Sequence, residues 1–330
     1  MYLNTLKVLG HVQVKNMLAS TLRIGTDCSG IEAPVEALEQ LGVQYRHVWS
    51  SEIDKHCIKS IKDNYRPERL YGDPDGPYPD GDIRHRDHDS LPDVDLYVCG
   101  FPCQPFSTAG SRQGMEDARG NVFWSCIDVI KQKEPECFIL ENVKGILTND
   151  KRLASDTHGR TWDTIWTAVK GLEGCGYYVD WRLLNTRDHG VPQNRERVFI
   201  VGSRRGSVKW PERCECPPIS EFVDEEDTST RTPSINCQKM LENIKGNTFI
   251  NIGFPKNPHT DLIDCSPTLT AASSQIWNVP KQRYANVKEF LWLQGFRNLE
   301  LKCSKTQAQK QIGNSMSVNV IKGIIKGLLI

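Results

Sequence analysis

Short apolar runs alternate with stretches of helical spacing through the first 200 residues of this 330-residue chain. Leu22-Arg23-Ile24-Gly25-Thr26 reads as a strand, and Ile31 to Leu41 places its apolar residues along one face of a helix. Arg46 to Ser50 is the next expected strand and Lys55 to Asn64 the next helix. The alternation continues through strand Asp95 to Cys99, helix Val122 to Lys133, strand Cys137 to Leu140 and helix Thr161 to Glu173. Strands Tyr177 to Leu184 and Val198 to Val201 follow. This order predicts an α/β fold with a doubly wound, Rossmann-like sheet, whose ligands lie outside the carboxyl ends of the strands.

After Gly202 the pattern changes. Residues 203–282 are rich in Pro, Ser, Thr, Asn and charge, with only short apolar runs. A smaller loop-rich domain is expected over 203–310, with 1–202 plus 311–330 forming the larger one. Val318 to Leu329 regains helical periodicity and is expected to pack back on the larger domain.

Composition narrows the class. No run of 18 apolar residues occurs, which excludes a helical membrane span, and the start, Met1-Tyr2-Leu3-Asn4-Thr5-Leu6-Lys7, lacks the features of a secretory signal. The 12 cysteines are scattered singly and read as reduced thiols of an intracellular protein, in cytoplasm or nucleoid, or in the nucleus of a eukaryotic host. Cys214 and Cys216 lack a second pair at zinc spacing, so no metal site is expected. The 41 basic and 41 acidic residues cancel, which does not by itself favour a polyanion partner. Yet Arg195 to Arg213 holds six Lys or Arg against two Glu, enough for a local phosphate-binding face.

The chemistry centres on Gly100-Phe101-Pro102-Cys103-Gln104-Pro105-Phe106-Ser107, directly after an apolar strand. Two prolines stiffen the turn that carries Cys103 and aim its sulfur outward, as a nucleophile requires. Cys99, by contrast, reads as a small buried hydrophobe. Glu141-Asn142-Val143 ends the next strand, Gln193-Asn194-Arg195-Glu196-Arg197 precedes another, and Gln311-Ile312-Gly313-Asn314-Ser315 is read as opening the final helix.

These four motifs, in this order and spacing, resemble the C5-cytosine-specific DNA methyltransferases over nearly the whole chain outside residues 203–265. The resemblance implies the S-adenosylmethionine-dependent methyltransferase form of the sheet, with S-adenosylhomocysteine as product. Carbon 5 of cytosine is too weak a nucleophile to take a methyl group until a thiolate adds at carbon 6. Charge accumulating on the ring then needs a proton or strong hydrogen bond at N3. The resemblance gives Cys103 the attack and Glu141 the N3 contact, which calls for a raised carboxyl pKa. It gives Arg197 the cytosine carbonyl oxygen and Arg195 the surroundings of the nucleophile. A base inside a duplex is out of reach, so it must be flipped out. Gly110, Gly114 and Gly120 allow hinging of the loop that follows, while Gln104, Ser107, Ser111, Arg112, Gln113 and Arg119 are expected to touch double-stranded DNA.

Cofactor contacts are expected in the first half. Thr26 to Glu32 forms a strand-to-helix turn in which Cys28, Ser29, Gly30 and Ile31 approach the ligand. By resemblance Glu52 takes the ribose hydroxyls and Asp82 the adenine amino group, with Ile53 and Ile83 against the ring. Pro102, Val122, Asn314 and Ser315 complete the set. The turn departs from the family's Asp-Leu-Phe-x-Gly-x-Gly-Gly pattern: Thr26, Asp27 and Cys28 replace the first three residues, and Glu32-Ala33 the glycine pair. Target reading falls to residues 203–282, where Arg204, Arg205, Lys209, Asn236, Lys239, Asn247, Asn251 and Lys256 can contact bases or phosphates. Ser266 to Thr270 and Val287 to Phe296 resemble returning scaffold. The expected state is a monomer, with a cognate restriction endonuclease as a candidate partner. Rival readings are a transfer-RNA cytosine methyltransferase on the same fold and a catalytically silent DNA-binding regulator. A distinctive Cys-Phe-Thr element is missing for the first, and the intact Cys103, Glu141, Arg195 and Arg197 oppose the second.

Overall fold

The computed structural model describes residues 21–102, 121–151, 153, 155–242, 244, 249–253, 263–272 and 275–329. Its main sheet contains β1 (Leu22–Asp27), β2 (Tyr45–Ser51), β3 (Arg69–Tyr71), β4 (Leu96–Cys99), β5 (Cys137–Val143), β6 (Tyr178–Asn185) and β7 (Glu196–Ser203). The strand order is β3-β2-β1-β4-β5-β7-β6. Neighbours from β3 to β5 run parallel, and β7 runs antiparallel to β5. The order reverses between β1 and β4, and a doubly wound sheet opens its ligand crevice at such a switch point. The Cys28–Gly30 turn follows β1 and the stem of the Cys103 loop follows β4, so both flank it.

The crossover helices are α1 (Ala33–Leu41), α2 (Lys55–Asn64), α3 (Asn121–Lys133) and α4 (Arg160–Lys170). Local chemistry starts and stops them. Pro34 stands in the first turn of α1 and Gly42 ends it in the left-handed conformation. The Asp54 side chain accepts the His56 amide at 2.9 Å to cap α2. Parallel strands covered on both faces bury continuous apolar runs, and Phe138-Ile139-Leu140 is wholly buried. Trp49, Tyr97, Phe123 and Trp162 belong to the same core cluster.

Contacts divide the chain into two units: residues 1–184, 197–211 and 322–330, and residues 185–196 and 212–321. The second unit holds the antiparallel strands β8 (Phe249–Asn251), β9 (Ile276–Asn278) and β10 (Arg283–Tyr284), in the order β10-β9-β8. Its helices are α5 (Ile235–Leu241), α6 (Val287–Leu293) and α7 (Lys305–Asn314). Buried Glu289 accepts from Arg283 Nη2 at 2.8 Å and from Asn278 at 2.8 Å, a buried polar knot. The last helix, α8 (Val318–Leu329), begins in the second unit, and its residues from Lys322 onward belong to the first. There Ile325 and Leu328 lie beside Leu22, Leu96 and Cys137 at the strand starts.

One expected boundary moves. Gln311 to Asn314 do not open the final helix but form the last turn of α7, and Ser315 is its C-cap. The start of α7 is fixed instead by a capping box between Ser304 and Gln307.

Candidate active site

Parallel strands bring their carboxyl ends to one edge of the first unit, and that edge collects the candidate chemistry. Glu141, two residues from the end of β5, meets Arg197 near the start of β7, with Arg197 Nε and Glu141 Oε1 3.3 Å apart. The antiparallel register of β5 and β7, with Val143 opposite Arg197, creates this meeting. Both side chains are mostly buried, at 12% and 15% exposure.

Asn142 does a second job on the same strand. Its side-chain amide donates to the Phe101 carbonyl at 3.0 Å, and its side-chain oxygen accepts the Val143 amide at 2.8 Å. Phe101 stands two residues before Cys103, so β5 anchors the stem of the loop that carries the expected nucleophile. Cys103 itself, with Gln104, Ser107, Ser111, Arg112, Gln113 and Arg119, lies outside the described residues. Cys99 is buried as expected; burial pushes its thiol well above the ordinary value, which suits an unreactive core sulfur.

At the cofactor turn, Glu52 follows β2 and its carboxylate accepts three backbone amides. Gly30 donates to Oε2 at 2.8 Å, and Ile53 and Asp54 donate to Oε1 at 2.8 and 2.9 Å. Gly30 has φ 58°, which lets its amide turn toward this carboxylate. Burial pushes the Glu52 pKa up while the three amides pull it down, with a net rise. Ile53 beside it is 74% exposed, an apolar surface placed next to a carboxylate. Gly81 packs against the same segment: a Cβ there would fall 2.0 Å from the Glu52 carbonyl oxygen.

Asp82 accepts from Arg84 Nε at 2.8 Å, and this partner holds its carboxyl below the usual range. Ser29 donates to the carbonyls of Thr26 and Ser51 and is spent on shaping the turn. Cys28 adopts φ 48° and packs partly on the core. Pro102 is half-buried, whereas Ile31, Ile83 and Val122 are buried core side chains. Ile83 therefore gives its side chain to packing, and Ile53 is the exposed one of the two expected ring partners.

Three expected DNA contacts stand apart from this edge. Arg204 and Arg205 follow the end of β7, and Ser203 pairs with Cys137 at the start of β5. They therefore sit at the opposite edge, paired with Glu134 at 2.9 Å and Glu136 at 3.3 Å. The Lys209 carbonyl lies where a Cβ on Gly327 would fall, within 1.8 Å. The antiparallel turn of β7 carries this basic cluster away from Glu141, which charge counting could not reveal.

Within the second unit, Arg195 is 2% exposed and donates to the carbonyls of Leu269 at 2.5 Å, Gly313 at 3.2 Å and Ser315 at 2.6 Å. It clasps the end of α7 rather than presenting a free charge. Gln193 reinforces this clasp through the Leu293 carbonyl at 2.7 Å and the Leu269 amide at 2.9 Å. Asn314 is exposed between Gly313 and Ser315, whose carbonyls Arg195 holds, and Ser315 is buried. Asn142 is expected from sequence to hold the turn after its strand, but its bond to Phe101 and the Gln193 bonds to Leu293 and Leu269 are not legible there, because each reaches backbone groups distant in sequence.

Comparison with known proteins identifies the family. Residues 27–264 match the C-5 cytosine-specific DNA methylase family. The chain is 36% identical to the type II methyltransferase M1.ScrFI of Lactococcus lactis subsp. cremoris, covering 86% of this chain and 72% of that protein. It is 30% identical to the type II methyltransferase M.NlaIV of Neisseria lactamica, covering 90% and 70%. In fold it is similar to the Dnmt2 methyltransferase of S. pombe, with TM-score 0.67, 17% identity, and coverage of 93% of this chain and 98% of that one. The chain belongs to the C-5 cytosine-specific DNA methylase family and is a DNA (cytosine-5-)-methyltransferase.

Proposed function

We propose that the enzyme works through a covalent bond between Cys103 and carbon 6 of a cytosine flipped out of duplex DNA. The observation that carries this reading is the Glu141–Arg197 pair at 3.3 Å, on strands whose neighbour Asn142 anchors the Cys103 loop stem. A carboxyl and a guanidinium side by side match two polar positions on the pairing edge of cytosine, N3 and the carbonyl oxygen on carbon 2. The Cys103 thiolate adds to carbon 6, and its electron pair enters the ring. Glu141 holds N3 and Arg197 the oxygen, where that charge collects. Carbon 5 would take the sulfonium methyl group, with S-adenosylhomocysteine leaving, then lose its proton to a water molecule as the thiolate leaves carbon 6 and restores the aromatic ring.

The cofactor reading fits the residues present. Glu52 is fixed by three amides, and exposed Ile53 offers an apolar face beside it, as an adenosine ligand requires. Asp82 would meet the adenine amino group once its Arg84 contact is shared or exchanged. Cys28, Ser29, Gly30 and Ile31 would line the turn, Pro102 and Val122 the neighbouring strand end, and Asn314 and Ser315 the methionine end. S-adenosylmethionine, when bound, supplies an electrophilic methyl group on a sulfonium.

The relatives carry the name type II methyltransferase; a restriction endonuclease of the same target sequence would be the partner, and the methyltransferase would act as a monomer. Residues 203–282 would read that sequence; exposed Lys239 on α5 is one available contact. Among the described residues no helix is long and apolar enough to cross a membrane.

Incubation with labelled S-adenosylmethionine and either a duplex carrying 5-fluorocytosine or total transfer RNA tests the mechanism. Fluorine cannot leave as a proton does, so a covalent protein–DNA adduct should accumulate and vanish in Cys103→Ser. An adduct that survives the substitution, or labelling of transfer RNA alone, would overturn the reading.

A further inference from the structure

We propose that Arg86 is a positioning residue for the cofactor, a buried guanidinium that aligns the three backbone segments expected to hold S-adenosylmethionine. The inference rests on the cofactor reading above and extends it to a side chain that contacts no ligand. Arg86 Nη1 donates to Asp27 Oδ1 at 2.9 Å and Nη2 to Asp27 Oδ2 at 2.8 Å, a bidentate fork. Nη1 also donates to the Ser51 hydroxyl. The Tyr97 hydroxyl donates to Asp27 Oδ2 at 2.9 Å. The guanidinium lies 5.2 Å from the Trp49 ring centroid and 5.1 Å from that of Tyr71. The Arg86 side chain is 6% exposed and that of Asp27 is fully buried.

The three partners occupy telling positions. Asp27 ends β1 and leads directly into Cys28, Ser29 and Gly30. Ser51 ends β2 and precedes Glu52. Arg86 itself follows the Asp82–Ile83 segment. One planar fork therefore fixes the methionine, ribose and adenine segments against each other, and its geometry tolerates little drift.

A purely structural account of the pair is weak. Burying two charges is offset by their attraction only partly, and well-packed apolar residues at such sites are commonly as stable. The family pattern places Leu where Asp27 stands, so an apolar solution is open to this fold. Here the turn lacks the family's glycine pair, and Arg86 supplies by a fixed fork the alignment that the glycine-rich turn would give by close packing.

The test uses the full-length protein and four variants: Arg86→Lys, Arg86→Met, Asp27→Leu and the double variant D27L/R86M. Calorimetry gives the Kd for S-adenosylhomocysteine, anisotropy the Kd for duplex DNA, and thermal unfolding the Tm. Each single apolar variant leaves one buried charge unpaired and should lower Tm. The double variant removes both charges and should recover Tm, yet bind S-adenosylhomocysteine about tenfold more weakly with its duplex Kd unchanged. Arg86→Lys keeps the charge without the fork, and its KM for S-adenosylmethionine should rise with duplex Kd unchanged. It carries the test alone if the double variant does not fold. A double variant, or failing that a lysine variant, with wild-type cofactor affinity would overturn the proposal. A wild-type protein that binds no S-adenosylhomocysteine would instead overturn the cofactor reading itself.

Discussion

Two glutamates at the same edge of the sheet are held in opposite ways. Glu52, after β2, accepts three backbone amides, while Glu141, near the end of β5, faces the Arg197 guanidinium. Backbone amides are rigid and permanent, so they preset the direction of the Glu52 carboxylate. A side-chain ion pair can open, so Glu141 and Arg197 can each turn to a base edge when one enters. On the proposed mechanism, the difference would separate a site that orients a ligand in its ground state from one that must answer charge as it develops.

Replacing Glu141 tests the second kind most severely. Glu141→Gln keeps the shape but removes the acid, and kcat should fall about 10²- to 10⁴-fold. The Kd for S-adenosylhomocysteine should stay unchanged, since that ligand is assigned to the other carboxylate. A kcat near wild type in single-turnover methylation would deny Glu141 its role.

Gly81→Ala attacks the first kind through the backbone that carries it. The new Cβ would fall 2.0 Å from the Glu52 carbonyl oxygen and 2.9 Å from the Gly72 Cα, neither of which can yield like a side-chain tip. A loss of about 1–3 kcal/mol of stability is expected, with weaker cofactor binding. Denaturant unfolding and calorimetry check both. Unchanged Kd with lowered stability would mean that the Glu52 segment is not the cofactor segment.

The same contrast explains what the sequence disclosed. Strands β4 and β5 are legible because burial on both faces demands continuous apolar runs, as in Leu96 to Cys99 and Phe138-Ile139-Leu140. Three-residue β3 and the short β8 to β10 carry too few positions for any period to register; they owe their form to pairing partners. Helix α7 is mostly polar, Lys305-Thr306-Gln307-Ala308-Gln309-Lys310, and only the Ser304-to-Gln307 spacing announces it. Glu52, Glu141 and Arg197 stand out in the sequence because their types and order match a family pattern, and the structure places Glu141 against Arg197 and Glu52 on three backbone amides. Arg86 does not stand out: a buried arginine looks in sequence like any surface charge, and its partner lies 59 residues away. Arg195 was assigned a place near the nucleophile, but its fork is filled by backbone carbonyls that no side-chain pattern encodes.

Glu52→Gln gives the smallest effect and the finest discrimination, because pH moves two observables in opposite directions. Burial, the larger influence, raises the Glu52 pKa above its ordinary 4.5 in the folded protein. The native state then binds a proton that the unfolded chain has released. Its contribution to stability is full below 4.5 and is lost as pH rises through the folded value. Cofactor affinity has the reverse sign: ribose hydroxyls donate to the ionised carboxylate, so binding should strengthen as the same proton leaves. In Glu52→Gln both dependences should flatten over the range just above pH 4.5, with Kd about tenfold weaker than the wild-type plateau. Unfolding and calorimetric titrations at matched pH would show this. Affinity that rises with pH equally in the variant would assign the titration to another group and leave Glu52 as a purely structural acceptor of amides.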